Sequence, residues 1–225
     1  MRFAAVLLAL ALAGCASGSS RYDRYARLLT PTATPSKVVA TELAFARMAQ
    51  EKGQWTAFRD YATGDAVMFV PEPVNAQEWL KKQSDPAEAV KWQPHEVWSS
   101  CDGSLAVTRG AWQRSNGTSG YFTTVWQRQK NGEYKWVMDQ GDMVAEPLVE
   151  PDFIRTKIAS CDGKQFPAVI VSPPGASIHK GGSDDGTLDW YVTVEPDRSR
   201  RVVARMWDGS AWQFVLRESI DANPS

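Results

Sequence analysis

Apolar and polar positions along this chain follow a helical period first and a strand period afterwards. Ser36 is placed to cap a helix from Lys37 to Lys52, with Val39, Leu43, Phe45, Ala46 and Ala49 on its apolar side and Gly53 ending it. Gln54 to Tyr61 continues as a second short helix carrying Trp55 and Phe58. Ala66 to Val70 reads as a buried strand stopped by Pro71 and Pro73. Asn75 with Glu78 forms a capping-box pattern for a helix holding Trp79 and Leu80, and Asp85-Pro86 reads as one more helix start. Beyond Lys91 the period drops to two. Trp92 to Ser100, Leu105 to Arg114, Gly120 to Gln129 and Tyr134 to Gln140 are separated by Asp-Gly and Asn-Gly pairs, which favour hairpin turns.

Within the last of these strands, Tyr134, Trp136 and Met138 alternate with Lys135, Val137 and Asp139, so Asp139 is expected on the more polar face. Past Glu146 a second β-rich unit shows the same alternation in Trp190/Val192/Val194, Val202/Ala204/Met206 and Trp212/Phe214/Leu216. Ahead of these, His179 falls between Pro173-Pro174-Gly175 and the Gly181 to Gly186 stretch, read as a loop. Helices followed by a meander give an α+β class.

The N-terminal run has another character. Arg2 precedes an apolar segment, Phe3 to Ala13, that is too short to span a bilayer, which takes roughly 20 residues. It closes on Leu12-Ala13-Gly14-Cys15, which resembles a bacterial lipobox. That resemblance implies removal of residues 1–14 as a signal peptide and lipidation of Cys15, with membrane attachment through the acyl chains. Ala16, in place of an aspartate after the cysteine, points to the periplasmic face of the outer membrane. Residues 15–36, rich in Ser, Ala, Thr, Gly and Pro, form a tether.

Charge excludes one class of partner. The chain carries a net charge of −1, with no basic face to hold nucleic acid. With Cys15 taken by lipid, Cys101 and Cys161 remain as an even pair in an oxidising compartment. They sit in matching contexts, Ser99-Ser100-Cys101-Asp102-Gly103 and Ala159-Ser160-Cys161-Asp162-Gly163, which favours a disulfide over two free thiols. No cysteine or histidine spacing suggests a metal, and no motif calls for a cofactor.

Glu42-Leu43-Ala44-Phe45-Ala46 with Gly53, Tyr61 to Val67, Gly120 to Trp126, and Gly132 to Gly141 together resemble the nuclear transport factor 2-like superfamily. The match is to its bacterial SnoaL-like branch, catalogued as domain of unknown function 4440. The resemblance spans roughly residues 37–145. It implies a cone of curved antiparallel sheet wrapped on the N-terminal helices, a pocket at the open end, and homodimers formed through the sheet. Residues 146–225 would be a β-rich extension sharing or covering that sheet.

Isomerases of this superfamily place a carboxylate base near the end of the first strand, just before a proline. Here Val70 stands before Pro71, with Asp65 and Glu72 beside the slot. Among ten tryptophans, most are expected in the core. Tyr121, Trp126 and Trp98 are the candidates for lining a pocket, with Asp139 as a carboxylate at its rim. His95 and His179 are weaker candidates for acid–base work, since neither has an acid partner evident in sequence. Two readings follow. One is a non-catalytic envelope lipoprotein binding a small apolar ligand or a partner protein. The other is an isomerase- or dehydratase-type enzyme with a relocated acid.

Overall fold

The computed structural model describes residues 32–163, 167, 169–171 and 173–222; Cys15 and the lipobox lie outside the described residues. Helix α1 (Pro35–Lys52) starts one residue before the expected Ser36 cap. Pro35 occupies its first turn, where a missing N–H costs nothing. Its buried residues are Val38, Glu42, Phe45 and Ala49, so the apolar stripe lies beside the expected one and Leu43 is 46% exposed. Gly53, at φ 110°, turns the chain into α2 (Gln54–Tyr61). Asp85 begins no helix. Its carboxylate instead caps α2 from a distance, accepting from Trp55 N at 2.6 Å and Thr56 N at 3.0 Å. The Asn75 cap of the five-residue α3 (Ala76–Leu80) forms as expected, accepting from Glu78 N.

Seven strands build the first sheet: β1 (Ala62–Phe69), β2 (Pro73–Asn75), β3 (Lys91–Ser99), β4 (Leu105–Gln113), β5 (Ser119–Arg128), β6 (Tyr134–Val144) and β7 (Arg155–Ile158). Their order is β2-β1-β6-β5-β4-β3-β7. The sheet is mixed rather than purely antiparallel, because β1 runs parallel to β6 and β7 parallel to β3. Four more strands, β8 (Ser177–Gly182), β9 (Leu188–Val194), β10 (Arg200–Trp207) and β11 (Trp212–Ile220), form an antiparallel second sheet in the order β11-β10-β9-β8. His179 therefore lies in a strand and not in a loop.

Two cores separate three layers. On one face of the first sheet, Trp126, Trp136, Ala106 and Val97 pack against Val38, Phe45, Ala57 and Leu80 of the helices. On the other, Trp98, Val107, Val125 and Met138 meet Leu188, Trp190, Val202, Ala204 and Met206 of the second sheet. The described residues from Ala33 onward cluster as one unit, and the segment beyond 146 both adds β7 to the first sheet and covers its outer face.

Cys101 and Cys161 are joined in a disulfide, Cα to Cα 5.3 Å. The two similar segments run side by side there, with Ser99 paired to Ile158 and Ala159 N donating to Ser99 O.

Bulges exchange faces within strands, one of them at His95 of β3, and two others overturn the expected alternation. One falls where Val125 pairs with Met138 but Trp126 with Trp136, so Val137 is the extra residue. Met138 then turns to the second sheet, and Asp139 joins Trp136 on the helix side. The other falls between Leu216 and Phe214. It puts Phe214, 49% exposed, and Trp212 on the outer surface instead of beside Leu216.

Candidate functional site

A cavity of about 360 Å³ opens between the helices and the helix-facing side of the first sheet. Phe45, Trp55 and Phe58 come from α1 and α2, Met68 and Phe69 from β1, Trp92 and Trp112 from β3 and β4, and Phe122 and Thr124 from β5. Val70 lines it too, so the slot before Pro71 does face the cavity but carries no acid. Asp139 lies in the wall, Asp142 and Met143 continue its strand along the cavity, and Arg114 stands over the Trp112 ring at 5.2 Å.

Asp139 is brought in by the β6 bulge. It sits opposite Thr124, whose Oγ1 donates to its carboxylate at 2.7 Å. Burial, with the nearby Glu42 charge adding to it, pushes the Asp139 carboxyl up to about 7. Glu42, fully enclosed on α1, accepts three hydrogen bonds: from Trp92 Nε1 at 2.9 Å, Trp126 Nε1 at 2.9 Å and Thr108 Oγ1 at 2.6 Å. Burial raises its carboxyl above the ordinary value, and these donors pull against that rise.

Thr108, Thr124 and Asp139 are register neighbours on β4, β5 and β6, forming one rung across three strands. The adjacent residues Arg109, Thr123 and Gln140 form a second rung on the opposite face. All three of these donate to Glu218 of β11, Arg109 Nε at 2.8 Å, Thr123 Oγ1 at 2.8 Å and Gln140 Nε2 at 2.7 Å. Each face of the same three strands thus holds one buried glutamate. Arg200 of β10 adds a bond from Nη2 to Gly141 O at 3.0 Å and lies over the Phe69 ring, which forms part of the cavity wall.

Of the pocket residues expected from sequence, Asp139 alone lines this cavity. Trp126 is fully buried beneath it, its indole N–H spent on Glu42. Tyr121 and Trp98 point to the opposite face. Trp98 belongs to the core between the sheets, and Tyr121 packs against Arg109, its hydroxyl pushed well above the ordinary range by burial. Asp65 is exposed, and Glu72 is paired with Arg198 at 3.1 Å. His95 is an extra residue in β3 beside a separate cleft with Glu150, and His179 meets Phe69 edge-on.

Sequence reasoning missed Trp55, Trp92 and Trp112 as wall residues, and Glu42 as a buried acid. A signal for Glu42 was present, since it falls four residues after Val38 and three before Phe45, within one helical stripe. Among the described residues no group of three His, Cys, Asp or Glu side chains is placed to hold a metal ion.

No protein-family model and no curated protein matches the chain. Solved structures do. A candidate ketosteroid isomerase from Parabacteroides distasonis is 14% identical, with a TM-score of 0.41 over 52% of this chain and 97% of that one. An NTF2-like protein of unknown function from Shewanella baltica is 13% identical, with a TM-score of 0.37 over 50% and 98%. A candidate aromatic-ring hydroxylase from Novosphingobium aromaticivorans is 16% identical, with a TM-score of 0.37 over 50% and 91%. The chain is similar to NTF2-like proteins. The likeness covers about half of it and says nothing of reaction or ligand.

Proposed function

We propose that this chain is an envelope lipoprotein, held by lipid on Cys15, whose cavity takes up a small and largely apolar molecule. The lipobox-like segment supports the anchor, and the Cys101–Cys161 disulfide fits an oxidising compartment. Ala16 after the modified cysteine favours the outer membrane. One observation carries the ligand reading: an aromatic-walled cavity in which two indole N–H groups and the one hydroxyl are committed to the protein. Trp92 Nε1 is taken by Glu42, Trp112 Nε1 by Tyr121 O, and Thr124 Oγ1 by Asp139. Asp139 is the carboxyl set among these rings, with Arg114 and Asp142 also in the lining, so the ligand is largely apolar and offers Asp139 a polar group.

A tryptophan-fluorescence titration with a panel of aromatic ketones and phenols tests this, because Trp55, Trp92 and Trp112 are in the wall. Asp139→Leu keeps the volume and removes the handle. It should weaken a bound member of the panel about tenfold or more. Equal affinity in the variant sinks the reading. Native mass spectrometry of protein released from membranes should give an acylated mass beginning at Cys15, and an unmodified mass sinks the anchor.

The second reading, an isomerase- or dehydratase-type enzyme, is favoured by the position of the Asp139 carboxyl near neutrality, where a general acid or base works best. In that case Asp139→Asn keeps ligand affinity and loses turnover of a bound ketone.

A further inference from the structure

The cavity rests on two carboxyls, the half-buried Asp139 in its wall and the fully buried Glu42 behind it, and their surroundings differ in kind. Glu42 is met by two indole donors and one hydroxyl. The two indole N–H groups of Trp92 and Trp126 cannot accept a hydrogen bond, and the third contact, Thr108 Oγ1, spans 2.6 Å. A protonated Glu42 would lose part of that acceptor capacity, and of its three partners only Thr108 Oγ1, which already accepts from Trp126 Nε1 at 3.1 Å, could take its O–H. Asp139 has one donor, Thr124, and its second oxygen has no donor among the hydrogen bonds of the wall. The two groups are linked through the Thr108–Thr124 rung and lie close enough for the charge on one to act on the other.

From this geometry we infer that Glu42 is a positioning residue: its carboxylate stays ionised behind the cavity wall and thereby keeps a proton on Asp139. The donor set decides which of the two ionises first, because three charge-assisted bonds offset burial where one does not. A second negative charge on Asp139 would then have to form beside the first in a poorly solvated interior. The other charged groups around Asp139 do not cancel this field. Asp142 on its own strand is of the same sign. Arg114 is exposed and lies over Trp112. On the far side of the sheet, Arg109 is matched by Glu218, and Arg200 acts on Asp142, Tyr121 and Glu218, while Glu42 is the charge that acts on Asp139. At neutral pH the cavity therefore meets its ligand with an acid that can donate, and the proton is held there by a residue that never touches the ligand. The inference rests on the cavity being the site, but its test needs no ligand.

The test is carboxyl carbon NMR of the full chain labelled at Asp and Glu side-chain carboxyls, titrated from pH 4 to 9 and assigned with Glu42→Gln and Asp139→Asn. The Glu42 signal should hold its carboxylate position until Asp139 has taken its proton. Two coupled steps in that order support the inference, and Glu42 taking up the first proton overturns it. In Glu42→Gln the Asp139 midpoint should fall by about one pH unit or more. An unmoved midpoint in the folded variant means that Glu42 serves packing alone. If Glu42→Gln does not fold, Thr108→Val removes one donor. The Glu42 midpoint should then rise toward that of Asp139, and no change overturns the inference. Loss of ligand binding in Asp139→Leu is a separate readout, so the site reading and the proton placement can fail independently.

Discussion

Asp139 is held in its folded position against its own solvation, and that makes the chain sensitive to pH in an uncommon direction. Folding raises its carboxyl from the ordinary 3.8 to about 7. Between those values the folded chain keeps a proton that the unfolded chain releases. Stability therefore falls as pH rises through this window, and the full penalty is present above pH 7. Linkage sets roughly 4 kcal/mol as the upper bound. Asp139→Asn can still accept from Thr124 and carries no charge. Urea unfolding at pH 4.5 and pH 8 should show the variant gaining on the natural chain far more at the higher pH. An identical gap at both values would mean that Asp139 is solvated like a surface carboxylate.

At the scale of elements, the cavity depends on close strand contacts that only glycine permits. A Cβ on Gly110 would lie 2.6 Å from the Phe122 ring and collide with Gln93 O. A Cβ on Gly120 would run into the Trp112 ring and Asp142 O. Both rings belong to the wall. Gly110→Ala and Gly120→Ala should each cost about 1–3 kcal/mol through forced displacement. Each should also weaken ligand uptake more than the loss of stability alone explains, which thermal melts alongside the fluorescence titration would separate. The α2 cap works at the same scale. It comes from Asp85, which is distant in sequence, so a local reading assigned that residue to a helix of its own.

At the scale of the whole molecule, the second sheet packs on the outer face of the first. Glu218 is a polar link between them beside Arg200, buried and matched by Arg109, Thr123 and Gln140. Glu218→Ala leaves the Arg109 guanidinium without its ion-pair partner and should destabilise by about 3 kcal/mol or more. Glu218→Gln, which keeps two acceptors' worth of carbonyl oxygen, should cost less; equal costs in chemical denaturation would argue against the ion pair. The Cys101–Cys161 disulfide closes a separation of 60 residues. Replacing both cysteines by serine should lower stability by up to about 4 kcal/mol by restoring freedom to the unfolded chain. Denaturation of the oxidised chain and of the serine pair measures it.

The sequence by itself determined the α+β order, the Asx-Gly hairpins, the capping box at Asn75 and the pairing of two cysteines in matching contexts. These follow from period, turn chemistry and local composition, which act within a few residues. Only the tertiary structure decided which side of a strand faced which layer. Bulges at Val137 and Val215 each shift the alternation by one, and no residue type announces them. One shift moved Asp139 into the cavity, and the other turned Phe214 outward. The structure also decided that the tryptophans at 55, 92 and 112, rather than 98 and 126, line the space. All five are equally apolar in sequence, and burial in a three-layer molecule is set by what packs against each face, which period alone does not contain.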